Sequence, residues 1–194
     1  MITERINETK RIDFRELFGN SNPVEIEIGC GKGKFLLARA AENPNINFLG
    51  IDRVAKWMKI GLERSEKRKI TNLHFMKTEA REWLAQIPRE SIAAFHIYFP
   101  DPWPKRRHRP RRLVQKSFLV DLYDRLSPGG FLEIATDDVD YFSHMKMQFE
   151  DFPRAWKEVR PQINQRFINP EHKTNYELKY EAQGKPLYYL EARK

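Results

Sequence analysis

From Val24 to Thr136, short runs rich in β-branched and aromatic residues alternate with longer amphipathic ones, and this alternation restricts the chain more than any other feature. It is the pattern of βα units packed about a mostly parallel sheet, with helices on both faces. Strands are expected at 24–28, 47–51, 73–77, 93–99 and 131–136, and helices at 33–41, 53–69, 80–87, 113–126 and 138–149. Ser127-Pro128-Gly129-Gly130 predicts a turn between the last helix and strand of that series. Beyond about residue 155 the pattern changes: 156–162 and 187–192 read as strands joined by a polar loop, with no helix between them. A chain of 194 residues with 40% hydrophobic and 12% aromatic content can bury one core, so a single domain, 1–194, is expected, with 1–22 as an N-terminal segment.

Two exclusions narrow the chemistry. Cys30 is the single cysteine and the five histidines are scattered without ligand-like spacing, so neither an internal disulfide nor a metal site is expected. The N-terminus lacks the apolar core of a signal peptide and no apolar run approaches the length of a membrane span, which predicts a cytoplasmic protein without membrane association.

The segment Glu27-Ile28-Gly29-Cys30-Gly31-Lys32-Gly33 follows the first expected strand and opens the first expected helix. Gly29, Gly31 and Gly33 permit positive φ and close approach of a ligand to the backbone, beside helix N–H groups suited to a carboxylate or phosphate. The spacing is G-x-G-x-G with Lys34 next, not the G-x-G-x-x-G of dinucleotide sites, which tilts the choice from a nicotinamide cofactor towards S-adenosylmethionine. Asp52 stands about 20 residues on, at the end of the second strand, where an acid can accept from both ribose hydroxyls. Glu79, just past the third strand, is placed to meet the adenine amino side. Together these acids outline one adenosine-shaped cleft along one edge of the sheet.

Residues 99–112 read FPDPWPKRRHRPRR and hold the most unusual chemistry. Prolines at 100, 102 and 104 alternate around Asp101 and Trp103, predicting a stiff, extended presentation of a carboxylate and an indole. Six of the eight residues from Lys105 to Arg112 are Lys or Arg, which accounts for +6 of the formal net charge of +8. The basicity is therefore local, in a loop between a buried strand and a helix, as a phosphate-gripping surface would be. Trp103 is open to two readings, a stacking platform for a base or a plug between loop and core.

The combination EIGCGKG, GIDR, FPDPWPKRRHRPRR, TDD and TNYE closely resembles the bacterial tRNA (guanine-N7-)-methyltransferases over nearly the whole chain. PDPWPK followed by a basic run is highly specific to that family. The resemblance implies a Rossmann-like class I methyltransferase fold: α/β, a seven-stranded mostly parallel sheet with an antiparallel final strand and helices on both faces. It implies S-adenosylmethionine as cofactor and tRNA as partner, the methyl group going to a guanosine of the variable loop. By position it implies that Glu27, Asp52, Glu79 and Asp101 contact the cofactor and that Asp101 is the catalytic candidate. Lys105, Asp137, Thr174, Asn175, Tyr176 and Glu177 would bind substrate, with Asp137 and Glu177 accepting from the guanine Watson–Crick edge. Arg107, His108, Arg109, Pro110, Arg111 and Arg112 would contact RNA. Asp52 stands where the family usually has Glu, and Glu79 where it often has Asp or Asn; each keeps an acceptor while changing reach by one methylene. The segment before Val24 is shorter than in many relatives.

Other classes stay open. A nucleic-acid-binding module on the same fold would bind RNA without needing the cofactor, a Rossmann oxidoreductase would bind nicotinamide, and an exocyclic-amine methyltransferase would carry a differently ordered motif after the fourth strand. Monomer and homodimer both remain open.

Overall fold

A computed structural model of the protein describes residues 2–4, 11–150, 152 and 156–194. The expected strands form, in chain order, as β2 (Val24–Ile28), β3 (Asn47–Asp52), β4 (Leu73–Lys77), β5 (Ile92–Tyr98) and β6 (Leu126–Thr136), followed by β7 (Glu158–Ile163) and β8 (Tyr188–Arg193). A three-residue strand, β1 (Ile2–Glu4), pairs parallel with β4, so the sheet has eight strands among the described residues rather than seven. Strand order is β1-β4-β3-β2-β5-β6-β8-β7, with β8 antiparallel to both of its neighbours and the pairs from β1 to β6 parallel. The chain order reverses at β2, which places the crevice of an open α/β sheet beyond the carboxyl ends of β2 and β5.

Helices cover both faces. On one, Val24, Ile26 and Ile28 of β2 meet α4 (Ala80–Leu84), α5 (Lys116–Arg125) and α6 (Val139–Glu150) through Trp83, Leu122 and Met145. On the other, Phe48 and Phe75 of the sheet meet α2 (Lys34–Glu42) and α3 (Ala55–Lys67) through Phe35, Leu36 and Met58. Phe75 is fully buried, a side chain whose burial contributes roughly 2–3 kcal/mol. A short helix, α1 (Phe14–Phe18), precedes β2, capped by the Asp13 carboxylate, which accepts from the N–H groups of Arg15 and Glu16.

Two expectations are corrected. Ser127-Pro128-Gly129-Gly130 is not a turn but the bulged start of β6: its register against β5 shifts between Ile92 and Ala94. Gly130 packs so closely that a Cβ there would lie 2.9 Å from the Ser127 carbonyl and 3.0 Å from that of Ala93. The polar stretch between β7 and β8 is not loop throughout, since α7 (Asn175–Ala182) forms within it. Its start carries a capping box, in which Thr174 Oγ1 accepts the Glu177 N–H at 3.1 Å and the Glu177 carboxylate accepts the Thr174 N–H at 2.6 Å.

Candidate functional site

The carboxyl ends of β2, β3 and β5 open into two adjoining cavities of about 290 and 680 Å³ that share Gly29, Gly31, Trp57, Tyr98 and Tyr176. That is the size range of sites that enclose a small organic ligand. The smaller is bounded by Glu27, the glycine turn, Phe35 and Thr174–Tyr176. The larger runs past Asp52, Glu79 and Asp101 to Trp103 and Arg111.

The glycine turn has the expected backbone: φ is +80° at Gly29, +51° at Gly31 and +64° at Gly33. At Gly33 the demand is double, because a Cβ would also lie 2.7 Å from the Phe75 ring. The turn's own amides are engaged internally. Gly29 N–H and Cys30 N–H donate to the Ile51 carbonyl, Gly31 N–H to the Asp52 carboxylate at 2.9 Å, and Gly33 N–H to the Cys30 carbonyl. The donors left for a ligand are therefore Lys32 N–H and those of the first turn of α2.

Four acids meet this cleft in different states. Glu27 is buried at 3% exposure, and its Oε2 has no hydrogen-bond partner among the described residues. Burial pushes its carboxyl well up, the Arg166 guanidinium opposes that, and Glu177 and Asp52 reinforce it. Asp52 accepts from Gly31 N–H through one oxygen and from Val54 N–H through the other, leaving lone pairs free on both. Glu79 caps α4, one oxygen accepting from Arg81 N–H at 2.8 Å and Glu82 N–H at 3.2 Å. Asp101 is exposed on the wall of the larger cavity.

The segment around Asp101 is not uniformly extended. Phe99 (φ +53°) and Trp103 (φ +44°) adopt left-handed backbone, so the chain bends on either side of the Pro-Asp-Pro unit. The basic run is no open loop either: Arg106–Arg111 winds into a 3-10 helix. Trp103 packs against it, its ring edge-on to His108 at 5.7 Å with the Arg111 guanidinium 5.1 Å over its face, and it also lines the larger cavity. Lys105, Arg106, Arg107, Arg109 and Arg111 are exposed, and His108 and Pro110 lie among them. Arg112 departs from expectation. It is 1% exposed, its Nε donates to the Pro102 carbonyl at 2.8 Å, it pairs with Asp140, and its guanidinium stacks 4.8 Å over Tyr141. It fastens the run to α6 and is not on the RNA-accessible surface, because a guanidinium buried with partners on every side has no face left for phosphate.

On the opposite wall Thr174 caps α7, and Asn175 and Tyr176 line the smaller cavity, Tyr176 being 53% exposed. Asp137 is partly exposed, with Lys185 Nζ at 3.4 Å. Glu177 is 1% exposed and engaged by Thr174 N–H, by Tyr189 O–H at 2.9 Å and by Arg166 Nη1 at 3.3 Å. It lines neither cavity and so supports the rim instead of facing a base. Tyr98, Phe35 and Trp57 line the site without having been singled out from sequence, and Arg166 lies buried behind it, stacked on Tyr98 and Phe35. Tyr98 and Phe35 lie on strand and helix faces whose periodicity reads as core, Trp57 is a 41% exposed residue of α3, and Arg166 sits in a polar stretch with no pattern.

The family model described as "Putative methyltransferase" matches residues 21–190. A protein of Geobacter metallireducens named tRNA (guanine-N(7)-)-methyltransferase is 37% identical over 183 residues, covering 94% of this chain and 87% of its own. One of the same name from Listeria monocytogenes is 35% identical, covering 93% and 84%. Among solved structures, the 16S rRNA methyltransferase KamB superposes with a TM-score of 0.67 at 15% identity, covering 95% of this chain and 94% of that one, a likeness of fold.

Proposed function

Because this chain belongs to the tRNA (guanine-N(7)-)-methyltransferase family, we propose that it methylates N7 of a guanosine in the tRNA variable loop, with S-adenosylmethionine as donor held across the two cavities. The observation that carries this reading is the unpartnered, buried Oε2 of Glu27, a residue that lines the smaller cavity. A buried carboxylate oxygen without a partner is costly unless a ligand completes it. Glu27 would hold the ammonium of the donor's amino-acid end, and the first-turn N–H groups of α2 would hold its carboxylate.

When bound, the donor supplies a methyl group on a positively charged sulfur. Asp52 accepts from the ribose hydroxyls with the lone pairs that Gly31 and Val54 leave free, and Glu79, through the oxygen not engaged in capping, accepts on the adenine side. Guanine N7 carries an in-plane lone pair that is unprotonated at neutral pH, so its in-line attack on the methyl carbon requires no base. Asp101, held between two left-handed bends, stabilises the positive charge as it passes from sulfur to the imidazole half of guanine. Tyr176 and Asn175 close the cleft over the base, Asp137 and Lys105 bind substrate, and Arg107, His108, Arg109 and Arg111 grip the RNA backbone.

Methyl-labelled S-adenosylmethionine and unmodified tRNA transcripts, with and without the variable-loop guanosine, test the reading. Labelled 7-methylguanosine confined to the guanosine-bearing transcript is expected. Label in another nucleoside, or none despite tight tRNA binding, would overturn it. No helix among the described residues is long and apolar enough to cross a membrane, and no cluster of metal-ligating side chains is found among them.

A further inference from the structure

The face of the sheet beneath the smaller cavity carries a buried ionic cluster in place of aliphatic packing. Glu25 of β2 is bridged by both Nε and Nη2 of Arg39, at 2.7 and 2.8 Å, and by His96 at 3.0 Å. Tyr98 donates to Glu133 of β6. Arg166, on the segment between β7 and α7, reaches into this cluster from above with its side chain 3% exposed. Its guanidinium stacks 4.4 Å over Tyr98 and 4.8 Å over Phe35, Nη1 donates to the His172 carbonyl and to Glu177, and Nη2 lies 3.7 Å from Glu133. The next residue's N–H, that of Phe167, donates to the other Glu133 oxygen at 3.2 Å. Arg166 thus fastens the segment bearing Thr174, Asn175 and Tyr176 to two interior strands, and the Phe35 and Tyr98 rings it stacks on line the smaller cavity together with Glu27.

We propose that Arg166 is a positioning residue for cofactor capture, holding the Thr174–Tyr176 rim and the Phe35 and Tyr98 rings against the cavity that Glu27 lines. Its side chain pins the Thr174–Tyr176 rim through Glu177 and the His172 carbonyl and stacks on the two rings that line the cavity with Glu27, while its positive charge opposes the burial that disfavours the Glu27 carboxylate. The inference rests on reading the cleft as a cofactor site. The charged and titratable groups that act on Glu27 or line its cavity are Arg166, Glu177 of α7, Asp52 of β3, Cys30 and Lys32 of the glycine turn, Lys34 of α2, and Tyr98 of β5 and Tyr176 of α7. Of those that act on the Glu27 carboxyl, Glu177 and Asp52 disfavour its ionised form and Arg166 favours it. Without Arg166, burial and two like charges act on Glu27 unopposed, and the carboxylate that must meet an ammonium is held protonated to higher pH.

The probe is S-adenosylhomocysteine, which keeps the ammonium, carboxylate and adenosine, with adenosine alone as the comparison. Calorimetric affinities are measured from pH 5.5 to 8.5 for the wild type, Arg166→Met, Arg166→Gln and Glu27→Gln. Arg166→Met is expected to lose about tenfold in S-adenosylhomocysteine affinity at pH 7, with the pH below which affinity falls displaced upward by roughly one unit or more. Adenosine affinity should change little, and Glu27→Gln should bind weakly with no such pH limb. Arg166→Gln, closer in polarity, gives the same reading if the methionine variant does not fold. Unchanged affinity and pH limb in a folded Arg166 variant overturns the inference, as does an equal loss of adenosine and S-adenosylhomocysteine. Failure of the wild type itself to bind S-adenosylhomocysteine overturns instead the reading of the cleft.

Discussion

The backbone N–H of Gly31 donates to the Asp52 carboxylate at 2.9 Å, so the acid that ends β3 also shapes the glycine turn beside it. Asp52→Asn keeps an oxygen for Gly31 but loses the charge and one acceptor. It should weaken S-adenosylmethionine binding about tenfold and lower stability by up to about 1 kcal/mol, because the amide nitrogen cannot accept from Val54 N–H. Asp52→Ala removes the turn's anchor as well and should lower stability by about 1–2 kcal/mol in denaturant melts. Equal melting curves for the two variants would deny the structural half of this role.

Arg112 and the exposed cations of the same run should separate in experiment. Replacing Arg107, Arg109 and Arg111 together with Ala is expected to weaken tRNA binding and flatten its salt dependence by about 0.9 in log–log slope per lost phosphate contact, leaving cofactor affinity and folding unchanged. Arg112→Ala should instead cost about 2 kcal/mol of stability, from lost stacking on Tyr141 and the lost bond to the Pro102 carbonyl, with cofactor affinity the same. A stable Arg112→Ala protein with weakened tRNA binding would return that residue to the RNA surface.

Acid should unfold the protein through Glu25. Burial alone would raise its carboxyl, but hydrogen bonds from His96 and Arg39 outweigh that and hold it at about 2, against 4.5 when free. A folded value below the unfolded one means that this stability is complete above pH 4.5 and drains away as pH falls from there towards 2. It amounts to about 3 kcal/mol, at 1.36 kcal/mol per unit. Glu25→Gln should be less stable at neutral pH yet show a shallower stability loss across that window in urea titrations. Parallel slopes would place the acid sensitivity elsewhere.

Two neighbouring glycines should respond differently to a methyl group. Gly31 has open space around a built Cβ, whereas at Gly33 the Cβ would lie 2.7 Å from the Phe75 ring. Gly31→Ala should cost about 1 kcal/mol for left-handed backbone, and Gly33→Ala about 2–3 kcal/mol for that strain plus overpacking. Similar losses in the two variants would mean that Phe75 yields easily.

The chemical step needs no proton removed from guanine N7. Single-turnover methyl transfer at saturating cofactor and tRNA should therefore be nearly flat from neutral to mildly alkaline pH, and Asp101→Asn should lower its rate without giving the profile a slope. A steep rise across that window would require a base that this mechanism lacks.

The interior strands, the glycine turn and the acids at the strand ends could be read from the chain because period and burial agree there. What escaped notice had other causes. The segment that forms α7 is polar nearly all round, so no stripe marks it; only the Thr174–Glu177 capping spacing did, and a capping box can also stand in a loop. Gly129 and Gly130 read as a turn because Pro-Gly-Gly usually is one, whereas here Gly130 serves a close approach of β6 to β5. Arg112 read as one more solvated cation in a run of six, and nothing local distinguishes the one that turns inward to Tyr141. Arg166 is visible only once β5, β6 and α7 are brought together, since its partners lie as far away as Tyr98 and Glu133.

The position of β8 bears on how the molecule is made. Among the described strands it is the last to leave the ribosome, yet it lies between β6 and β7 and supplies the ladder to both. Until residues 188–193 emerge, β6 offers an unpaired edge to the surrounding solution, and β7 has nothing to pair with. Tyr189, which holds Glu177 beneath the rim of the cleft, arrives in the same late strand. The nascent protein can thus shape its glycine turn and basic run early, but the wall that closes over the ligand is assembled only as translation of this stretch ends.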